Sequence, residues 1–396
     1  MAEWKETAIL EIIDIIGGGT PKTSIADYWN GEIPWLSVKD FNNDNRYVYD
    51  TEKHISDLGL NNSSTKLLQR DDIIISARGT VGEIAMIPYP MAFNQSCYGI
   101  RAKAGTDKAF LYYLLKYKIA DLKRMTHGSV FDTITRDTFA NLIVSLPPYE
   151  IQRRIASVLM LIDDKIECNS RINDNLQQQA AAIFRSWFVD CDLFGGKAPD
   201  EWENVTLEDI TALVSRGITP KYADDTDQIV INQKCVRNHM IDLSLARTHT
   251  PKVINEKWLR FGDLLINSTG DGTLGRAAQV WFQPKNLTVD SHVTIVRPAK
   301  ENLIFYIGLW GILHEKEIES LHTGSTGQTE LPRDRVKAME LRLPDNDTLD
   351  RFNALITPMA AAIVANQEEN NQLAALRDAI LPKLMSGEID VSAVQL

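Results

Sequence analysis

The chain has 396 residues, of which 44% are hydrophobic and 24% are charged. This balance excludes a wholly disordered chain, a collagen-like chain and a small disulfide scaffold, and the length predicts two or three domains. The 42 basic and 53 acidic residues give a net charge of −11. Because free-standing DNA-binding proteins are usually basic, this charge argues against one.

The cysteines and the N-terminal residues indicate the compartment. Cys97, Cys168, Cys191 and Cys235 lie far apart and form no CxxC pair, which indicates reduced thiols in a cytosol. The chain starts without a basic segment, and no apolar run reaches 18 residues. We therefore expect no signal peptide, no transmembrane segment and a cytoplasmic protein.

The sequence repeats itself once, with the second copy starting near position 200. Short motifs recur in the same order: Gly19-Thr-Pro-Lys22 as Ile218-Thr-Pro-Lys221, Asp72–Ile75 as Asp263–Ile266, Gly79–Gly82 as Gly272–Gly275, and Leu146-Pro147 as Leu343-Pro344. The offset between the copies drifts from 191 to 199 residues while the order holds. This pattern predicts a duplicated unit whose loops differ in length.

Each repeat ends in a long helical pattern. Apolar residues recur in steps of three and four over Ile155–Trp187 and again 197 residues later, with Ala180 against Arg377 as the single exception. A helix of about 40 residues is roughly 60 Å long, and one with a single apolar stripe needs a partner. We predict that the two helices pair. The asparagines that recur within the stripe either fix the register of this pair or lie at its solvated edge.

These patterns divide the chain into a first globular domain (1–148), a first spacer helix (149–189), a connector (190–199), a second globular domain (200–344), and a second spacer helix with the C-terminal tail (345–390). Within the domains we expect strands at Asp72–Ser76, Ala278–Phe282 and Val293–Arg297, and helices at Ala109–Met125 and Leu303–Leu321. The predicted fold class is α+β with an internal repeat. Antiparallel pairing of the helices would give a pseudo-two-fold with the domains at opposite ends.

This organisation suits two kinds of function. Two related domains separated by about 60 Å would match a DNA target whose halves lie roughly 17 base pairs apart. A two-armed coiled-coil scaffold that binds only proteins would have the same sequence symmetry. The repeat alone therefore leaves both functions open.

No motif supplies a catalytic constellation. Gly270-Asp-Gly-Thr-Leu-Gly275 fits a dinucleotide-binding pattern, but a strand rather than a helix is expected after it, so a tight turn is predicted. Cys235 and His239 form at most half a zinc site. Leu146-Pro-Pro-Tyr149 has Leu where amino-methyltransferases place the Asn or Asp that holds the target amine. We expect a chain without metal that is not an enzyme by itself. The opposing hypothesis is a fused methyltransferase or nuclease.

The chain resembles the specificity (S) subunit of type I restriction-modification enzymes over essentially its whole length. The motifs that carry the resemblance are Gly18–Pro21, Ile33–Leu36, Asp72–Ser76 with Gly79–Gly82, Leu146–Gln152, and Leu376–Ile389, which is the most specific. The second repeat departs from the pattern, since it has Arg216-Gly-Ile-Thr-Pro220 and two extra residues in Gly270–Gly275. This divergence leaves the specificity of the second domain undetermined.

The resemblance implies two mixed α/β target recognition domains, separated by two long helices that pair as an antiparallel coiled coil. Each domain would read one half of a bipartite double-stranded DNA target, and the helices would set the spacer. Two modification (M) subunits would dock on the helices and bring S-adenosylmethionine, and restriction (R) subunits would bring ATP and Mg. This chain would hold no cofactor and would act in the prokaryotic cytoplasm, in bacterial defence through DNA methylation.

The candidate DNA-contacting residues are polar side chains on loops at corresponding points of the two repeats, since base edges are read by such groups. In the first domain they are Lys22, Ser37, Lys39, Arg78, Asn94, Gln95, Ser129 and Thr133. In the second domain they are Lys221, Asn232, Gln233, Lys234, Asn267, Ser268, His292, Ser325 and Gln328. Helix residues expected to contact an M subunit are Arg153, Arg171, Arg185, Trp187, Arg377 and Lys383. Because the chain is acidic, partners would supply most phosphate contacts, and the isolated chain should bind DNA weakly.

Overall fold

The computed structural model describes residues 4–43, 45–126, 133–324 and 329–394. The chain divides into two compact units. The first unit contains the chain up to Asn169 and again from Glu369 onward, and the second unit is Ser170–Glu368. Each unit therefore includes one globular domain and part of both long helices.

The first unit contains three small sheets. Its strands are Lys5–Ala8, Ile13–Gly17, Trp29–Leu36, Lys53–Ile55, Ile73–Ser76, Ile84–Met86, Ala92–Phe93, Cys97–Ala102 and Ile143–Leu146. Its helices are Ile9–Ile12, Val38–Phe41, Asp57–Asn61, Lys108–Thr126 and Arg136–Ala140, with a 3-10 turn at Ala26–Tyr28. The four-stranded antiparallel sheet has the order 13–17, 97–102, 73–76 and 84–86. In the three-stranded sheet, strand 29–36 lies between an antiparallel strand, 53–55, and a parallel one, 92–93.

The second unit repeats this strand order. Its strands are Glu203–Thr206, Thr211–Arg216, Ile229–Ile231, Val236–Arg237, Met240–Ile241, Arg247–Thr248, Leu264–Asn267, Ala277–Gln279, Leu287–Val289, Val293–Pro298 and Glu340–Leu343. The four-stranded sheet has the order 211–216, 293–298, 264–267 and 277–279, and strand 229–231 lies between 247–248 and 287–289. The short hairpin 236–241 is a separate two-stranded sheet.

The helices of the second unit differ in part from those of the first. They are Ile304–Leu313, Glu315–Ser320 and Arg333–Lys337, with 3-10 turns at Asp192–Phe194, Glu208–Ile210, Leu243–Leu245, Asn255–Lys257 and Glu301–Leu303. The helix predicted over 303–321 is thus interrupted at His314, whereas the one predicted over 109–125 is continuous as Lys108–Thr126. The strands predicted at 72–76 and 293–297 are confirmed as Ile73–Ser76 and Val293–Pro298.

One ion pair stands at the same place in both four-stranded sheets. Arg101 binds Asp72 through Nε and Nη2, at 3.0 and 2.6 Å, and Arg297 binds Asp263 through the same atoms, at 2.8 and 2.7 Å. Each carboxylate also accepts a backbone N–H from the residue three positions earlier. The pairs differ in burial, because the Arg297 side chain is 8% exposed and that of Arg101 is 41% exposed.

The two long helices are Tyr149–Phe184, which continues as a π-helical turn to Val189, and Asn346–Met385. The second begins where Asp345 accepts the backbone N–H of Thr348 at 2.9 Å and its hydroxyl at 2.7 Å. These bonds satisfy N–H groups that the first turn of a helix leaves unpaired.

The long helices run antiparallel within each unit. In the first unit, Asn169 Nδ2 donates to Asn370 Oδ1 at 2.9 Å, and Arg377 Nη1 donates to Asp163 Oδ1 at 3.0 Å. As the residue number falls along one helix, it rises along the other. The tail beyond the second helix belongs to the same unit, where the side chain of Val391 is buried in the hydrophobic core.

The second unit shows the same antiparallel order with other side chains. Asn366 Nδ2 donates to Asn173 Oδ1 at 2.8 Å, and the rings of Phe184 and Phe352 lie 6.0 Å apart. Tyr306 from the globular domain packs against Phe184 with a ring distance of 5.6 Å. An aromatic cluster therefore joins the domain of this unit to both helices.

Candidate nucleic-acid interface

A cleft of about 360 Å³ opens on the surface of the first unit. It lies where the end of strand 29–36, the short helix 38–41 and the loops 77–83 and 94–96 meet. Its lining includes four of the predicted DNA-contacting residues, Ser37, Lys39, Arg78 and Asn94. The structure therefore brings together side chains from three segments that are far apart in the sequence.

The short helix on one side of the cleft is fixed by Asp40. Its Oδ2 accepts the backbone N–H of Ser37 at 2.6 Å and the Ser37 hydroxyl at 2.8 Å, and its Oδ1 accepts the N–H of Glu52 at 2.8 Å. The Ser37 hydroxyl therefore donates its proton within this segment, and toward a ligand it can act only as a hydrogen-bond acceptor. Lys39 is exposed, with Nζ 3.9 Å from a Glu52 oxygen.

Arg78 lies on a tight turn at the other side of the cleft. The Ser76 hydroxyl donates to the Thr80 carbonyl at 2.6 Å, and Ser76 O accepts the Gly82 N–H at 3.0 Å, so the base of the turn is rigid. Gly79 has φ +78°, a left-handed conformation that glycine adopts without a Cβ penalty. The exposed guanidinium of Arg78 makes no hydrogen bond or ion pair with any residue of the described ranges. It is therefore available to a ligand.

Asn94 and Gln95 form the third segment near the cleft. Asn94 Oδ1 accepts the Ser96 N–H at 3.0 Å, so the amide NH₂ is the remaining donor group of this side chain. Gln95 accepts the hydroxyl of Thr20, which ties the loop to the Gly-Thr-Pro motif. Lys22 is exposed within that motif segment, whereas Thr133 is half-buried beside Ile134, whose N–H donates to Ala77 O at 3.0 Å.

The corresponding loops of the second unit are built with different side chains. Thr269 Oγ1 lies 2.7 Å from His292 Nδ1, and Asn267 Nδ2 donates to the carbonyl of Gln233 at 3.0 Å. Gly270, with φ +105°, starts a turn beside the Gln233 side chain. The loops that carry Gln233, Asn267 and His292 therefore meet, and the exposed Lys234 lies next to them.

Three of the residues predicted to read bases in the second domain are inside the protein. Asn267 and Ser268 are fully buried, and Ser268 Oγ lies 2.6 Å from Thr294 Oγ1. Asn232 is buried, donates to Leu245 O at 3.1 Å and accepts the Lys234 N–H at 2.9 Å. The prediction that these three side chains lie on the surface is wrong, because their hydrogen bonds hold the loops that present Gln233, Lys234 and Thr269.

Lys221 lies on a separate exposed segment of the second unit. Its carbonyl accepts the Thr250 N–H at 2.8 Å, and the neighbouring Tyr222 ring is covered by the Arg247 guanidinium at 3.7 Å from the ring centroid. A cation on an aromatic face keeps its charge while its position is fixed. Ser129, Ser325 and Gln328 lie outside the described residues.

Comparison with known proteins identifies what this chain is similar to. A family described as the type I restriction modification DNA specificity domain matches residues 1–178. The chain is 28% identical to the type I restriction enzyme MjaIX specificity subunit of Methanocaldococcus jannaschii, across 98% of this chain and 94% of that protein. The resemblance to type I specificity subunits that the sequence motifs predict is confirmed.

Further relatives agree with the family. The EcoR124I/EcoR124II specificity subunit of Escherichia coli is 29% identical over 41% of this chain and 41% of its own length. The crystal structure of the type I restriction-modification S subunit from M. genitalium matches with a TM-score of 0.58 at 14% identity, and covers 97% of this chain and 96% of that one. The chain therefore shares its fold with a solved S subunit.

The predicted partner-contacting residues of the chain fall into two groups. Arg153, Arg171, Arg185 and Lys383 are exposed on the long helices. Trp187 is half-buried, and its ring lies 5.8 Å from that of Phe352, within the aromatic cluster. Arg377 is only 4% exposed and binds Asp163, so the expectation of an exposed docking residue is wrong there.

The sequence interpretation missed several residues at the cleft of the first unit. Lys53, Thr80 and Ser96 also line it. Ser96 could have been found from the repeat, because it occupies the position equivalent to His292, just before equivalent strands. In the structure, the backbone N–H of each donates to the side chain of the residue two positions earlier, Asn94 or Asp290. Burial raises the pKa of Asp290.

Membrane-spanning helices and clusters of metal ligands are both absent from the described ranges. No described helix is long and apolar enough to cross a membrane. No group of three His, Cys, Asp or Glu side chains within those ranges could hold a metal ion.

Proposed function

We propose that this specificity subunit recognises a bipartite double-stranded DNA target within a type I restriction-modification complex, with each globular domain reading one half. The observation that carries the proposal is the cleft of the first unit. Four side chains predicted for base readout line it, and the guanidinium of Arg78 has no partner among the described residues. A guanidinium on a rigid turn suits the bidentate contact with guanine O6 and N7, which is the commonest specific contact to a base.

The acidic composition supports a division of labour in the complex. The cleft combines Lys39, Lys53 and Arg78 with Asp40 and Glu52, so it is not a broadly basic surface. Phosphate contacts dominate affinity for DNA. We infer that the two M subunits supply most of them, together with S-adenosylmethionine, and that R subunits supply ATP- and Mg-dependent steps. The isolated chain should then bind DNA weakly.

The two long helices are proposed to set the spacer between the half-sites and to dock the M subunits. Antiparallel contacts between the two helices recur within each unit and support their pairing. Exposed cations at Arg153, Arg171, Arg185 and Lys383 are the proposed docking residues. Deleting the heptad 171–177 should shorten the gap in the target, since seven residues span roughly 10 Å of helix. Unchanged spacing would refute this role.

Methylation mapping tests the proposed function directly. The chain is expressed with its M subunit in a host that lacks DNA methylation, and modified bases are located across the genome. We expect one motif with two fixed half-sites and a fixed gap. A soluble complex that modifies no sequence-specific site would favour the two-armed protein scaffold instead.

The Arg78→Ala variant tests the role of the cleft. Loss of one bidentate contact should relax the motif at one position of one half-site by about 5- to 150-fold, which corresponds to roughly 1–3 kcal/mol. Arg70→Ala is the matched control, because Arg70 is also highly exposed but lies next to Asp71, outside the cleft. A motif that stays sharp at every position in Arg78→Ala would exclude Arg78 from base readout.

A further inference from the structure

A buried charge network joins the two long helices in the first unit. Arg377 Nη1 donates to Asp163 Oδ1 at 3.0 Å, and the hydroxyl of Tyr113 donates to Asp163 Oδ2 at 2.6 Å. The side chains of Asp163 and Arg377 are 6% and 5% exposed. Burial, followed by the neighbouring charge of Asp163, raises the pKa of Tyr113, so its hydroxyl stays a donor. Each member of the network therefore depends on the others.

The repeat places two alanines at the equivalent positions of the second unit. Adding 197 to 163 gives Ala360, and subtracting 197 from 377 gives Ala180. Ala180 and Ala360 are 1% and 3% exposed and belong to the same hydrophobic cluster. The one mismatch between the two helical stripes thus corresponds to a charged pair in one unit and an alanine pair in the other.

The asparagine contacts between the helices do not differ in this way. Asn370 Nδ2 lies 3.4 Å from Ile166 O in the first unit, and Asn173 Nδ2 lies 3.3 Å from Ile363 O in the second. Asn169 and Asn173 have Asn366 and Asn370 as their repeat equivalents. If each helix paired with its own copy from a second chain, these amide contacts would form again. The asparagines therefore set the register without distinguishing like from unlike helices.

The charged pair does distinguish them. In a pair of two first helices, Asp163 would face Ala180, and in a pair of two second helices, Arg377 would face Ala360. In the first arrangement Asp163 would keep the Tyr113 hydroxyl but lose its cation, and in the second Arg377 would keep the contact of its Nε with Asp378 on the same helix but lose Asp163. Separating the members of a buried ion pair is unfavourable. Lys165 and Glu369, 3.1 Å apart, add a second contact between unlike helices, but both are about half exposed and contribute less.

We propose that Asp163 and Arg377 are specificity-determining residues that keep the two unlike helices of one chain together and exclude an exchanged dimer with a second copy of the chain. The consequence of this pairing for the symmetry of the DNA target rests on the proposed function. With unlike halves paired, the two reading domains differ and the DNA target is asymmetric. If two copies of the chain paired like helices, the two domains joined to each helix pair would be identical, and the target that they read would be a palindrome.

The first test is the oligomeric state after refolding of the full chain. Wild type, Asp163→Ala/Arg377→Ala and Ala180→Arg/Arg377→Ala are unfolded in urea, refolded at low and high protein concentration, and weighed by native mass spectrometry. The first variant removes the discrimination, because it places the alanine pair of the second unit in the first. The second moves the cation onto the helix of Asp163, so that only like helices complete the ion pair.

We expect a monomeric wild type and, in both variants, a dimer-to-monomer ratio higher by roughly tenfold or more, since a buried unpaired charge costs several kcal/mol. Asp163→Asn/Arg377→Gln, which removes both charges but keeps polar side chains larger than alanine, serves where an alanine variant does not refold, and should also dimerise. Lys197→Ala/Asp200→Ala is the control, because it removes an exposed ion pair that lies outside the long helices. Variants that refold only as monomers would overturn the inference.

Methylation mapping of the same variants with the M subunit gives the second test. We expect palindromic motifs, each built from two copies of one half-site, beside the asymmetric wild-type motif. Dimers accompanied by the asymmetric motif alone would overturn the link to target symmetry. If the wild type produces no motif, the proposed function fails, but the refolding experiment still decides whether the ion pair selects unlike helices.

Discussion

The two units have the same strand order but use different chemistry where the domain meets the long helices. In the first unit the junction is polar, with Tyr113, Asp163 and Arg377 in one buried network. In the second it is aromatic, with Tyr306 packed against Phe184 and with alanines in place of the charged pair. The comparison teaches that the fold depends on the pattern of burial and strand pairing, which leaves the side chains free to differ between repeats.

The same difference appears in the segments of the globular domains that contact the long helices. In the first unit Arg46, whose side chain is 6% exposed, binds Asp164. In the second unit Met240, at the end of a tight hairpin turn, lies 3.0 Å from Gln177 Nε2 and 3.3 Å from Gln367 Nε2. A sulfur atom is a weak hydrogen-bond acceptor. The contact in the second unit is therefore weak and polar, whereas the one in the first unit is ionic.

The largest expected difference between the units concerns the ion pair that both sheets contain. Arg297→Ala should lower the free energy of unfolding by about 3–5 kcal/mol, because it leaves the fully buried Asp263 without its cation. Arg101→Ala should cost only about 1 kcal/mol, since water reaches a guanidinium that is 41% exposed. Urea unfolding followed by tryptophan fluorescence measures both. Equal losses would mean that burial does not distinguish the two pairs.

A smaller effect is expected at the asparagines between the helices, where the units should behave alike. Asn173→Ala and Asn169→Ala should each cost about 1–3 kcal/mol, because each leaves a partner amide unpaired near the seam. Asn175→Ala, on the exposed face of the same helix, is the control and should stay within about 0.5 kcal/mol of wild type. Clearly unequal losses of stability in Asn173→Ala and Asn169→Ala would show that the helix contacts in the two units are not equivalent.

The smallest effect concerns the ends of the two long helices. Gly387 has φ +76° and follows the second helix, while Cys191, with φ +54°, takes the left-handed conformation after the first. Gly387→Ala should cost about 1–2 kcal/mol, since a Cβ in this conformation is unfavourable and would lie 3.2 Å from the Trp4 ring. Cys191→Ala keeps a Cβ in place and should cost less than about 1 kcal/mol. Thermal unfolding of both variants compares them, and a Gly387→Ala variant as stable as wild type would contradict the expected strain.

The candidate site shows how far sequence reasoning extends. Sequence reasoning placed Arg78 and Asn94 on loops, as the structure has them, whereas Lys39 lies on the short helix Val38–Phe41. It also assigned Asn232, Asn267 and Ser268 to the surface, where the structure has them buried. The direction of a side chain at the end of a strand depends on which neighbouring loops fold over it, and a local pattern does not contain that information.

The duplication, the two long amphipathic helices and the resemblance to type I specificity subunits follow from the sequence alone, because periodicity and motif order are local properties of the chain. Only the tertiary structure showed that Arg377, the mismatch in the helical stripe, is buried against Asp163, and that Arg78, Asn94 and Lys39 share one cleft. Pairing register and burial depend on contacts between distant segments. They become fixed only when the whole unit packs, which is why the composition of neither segment reveals its partner.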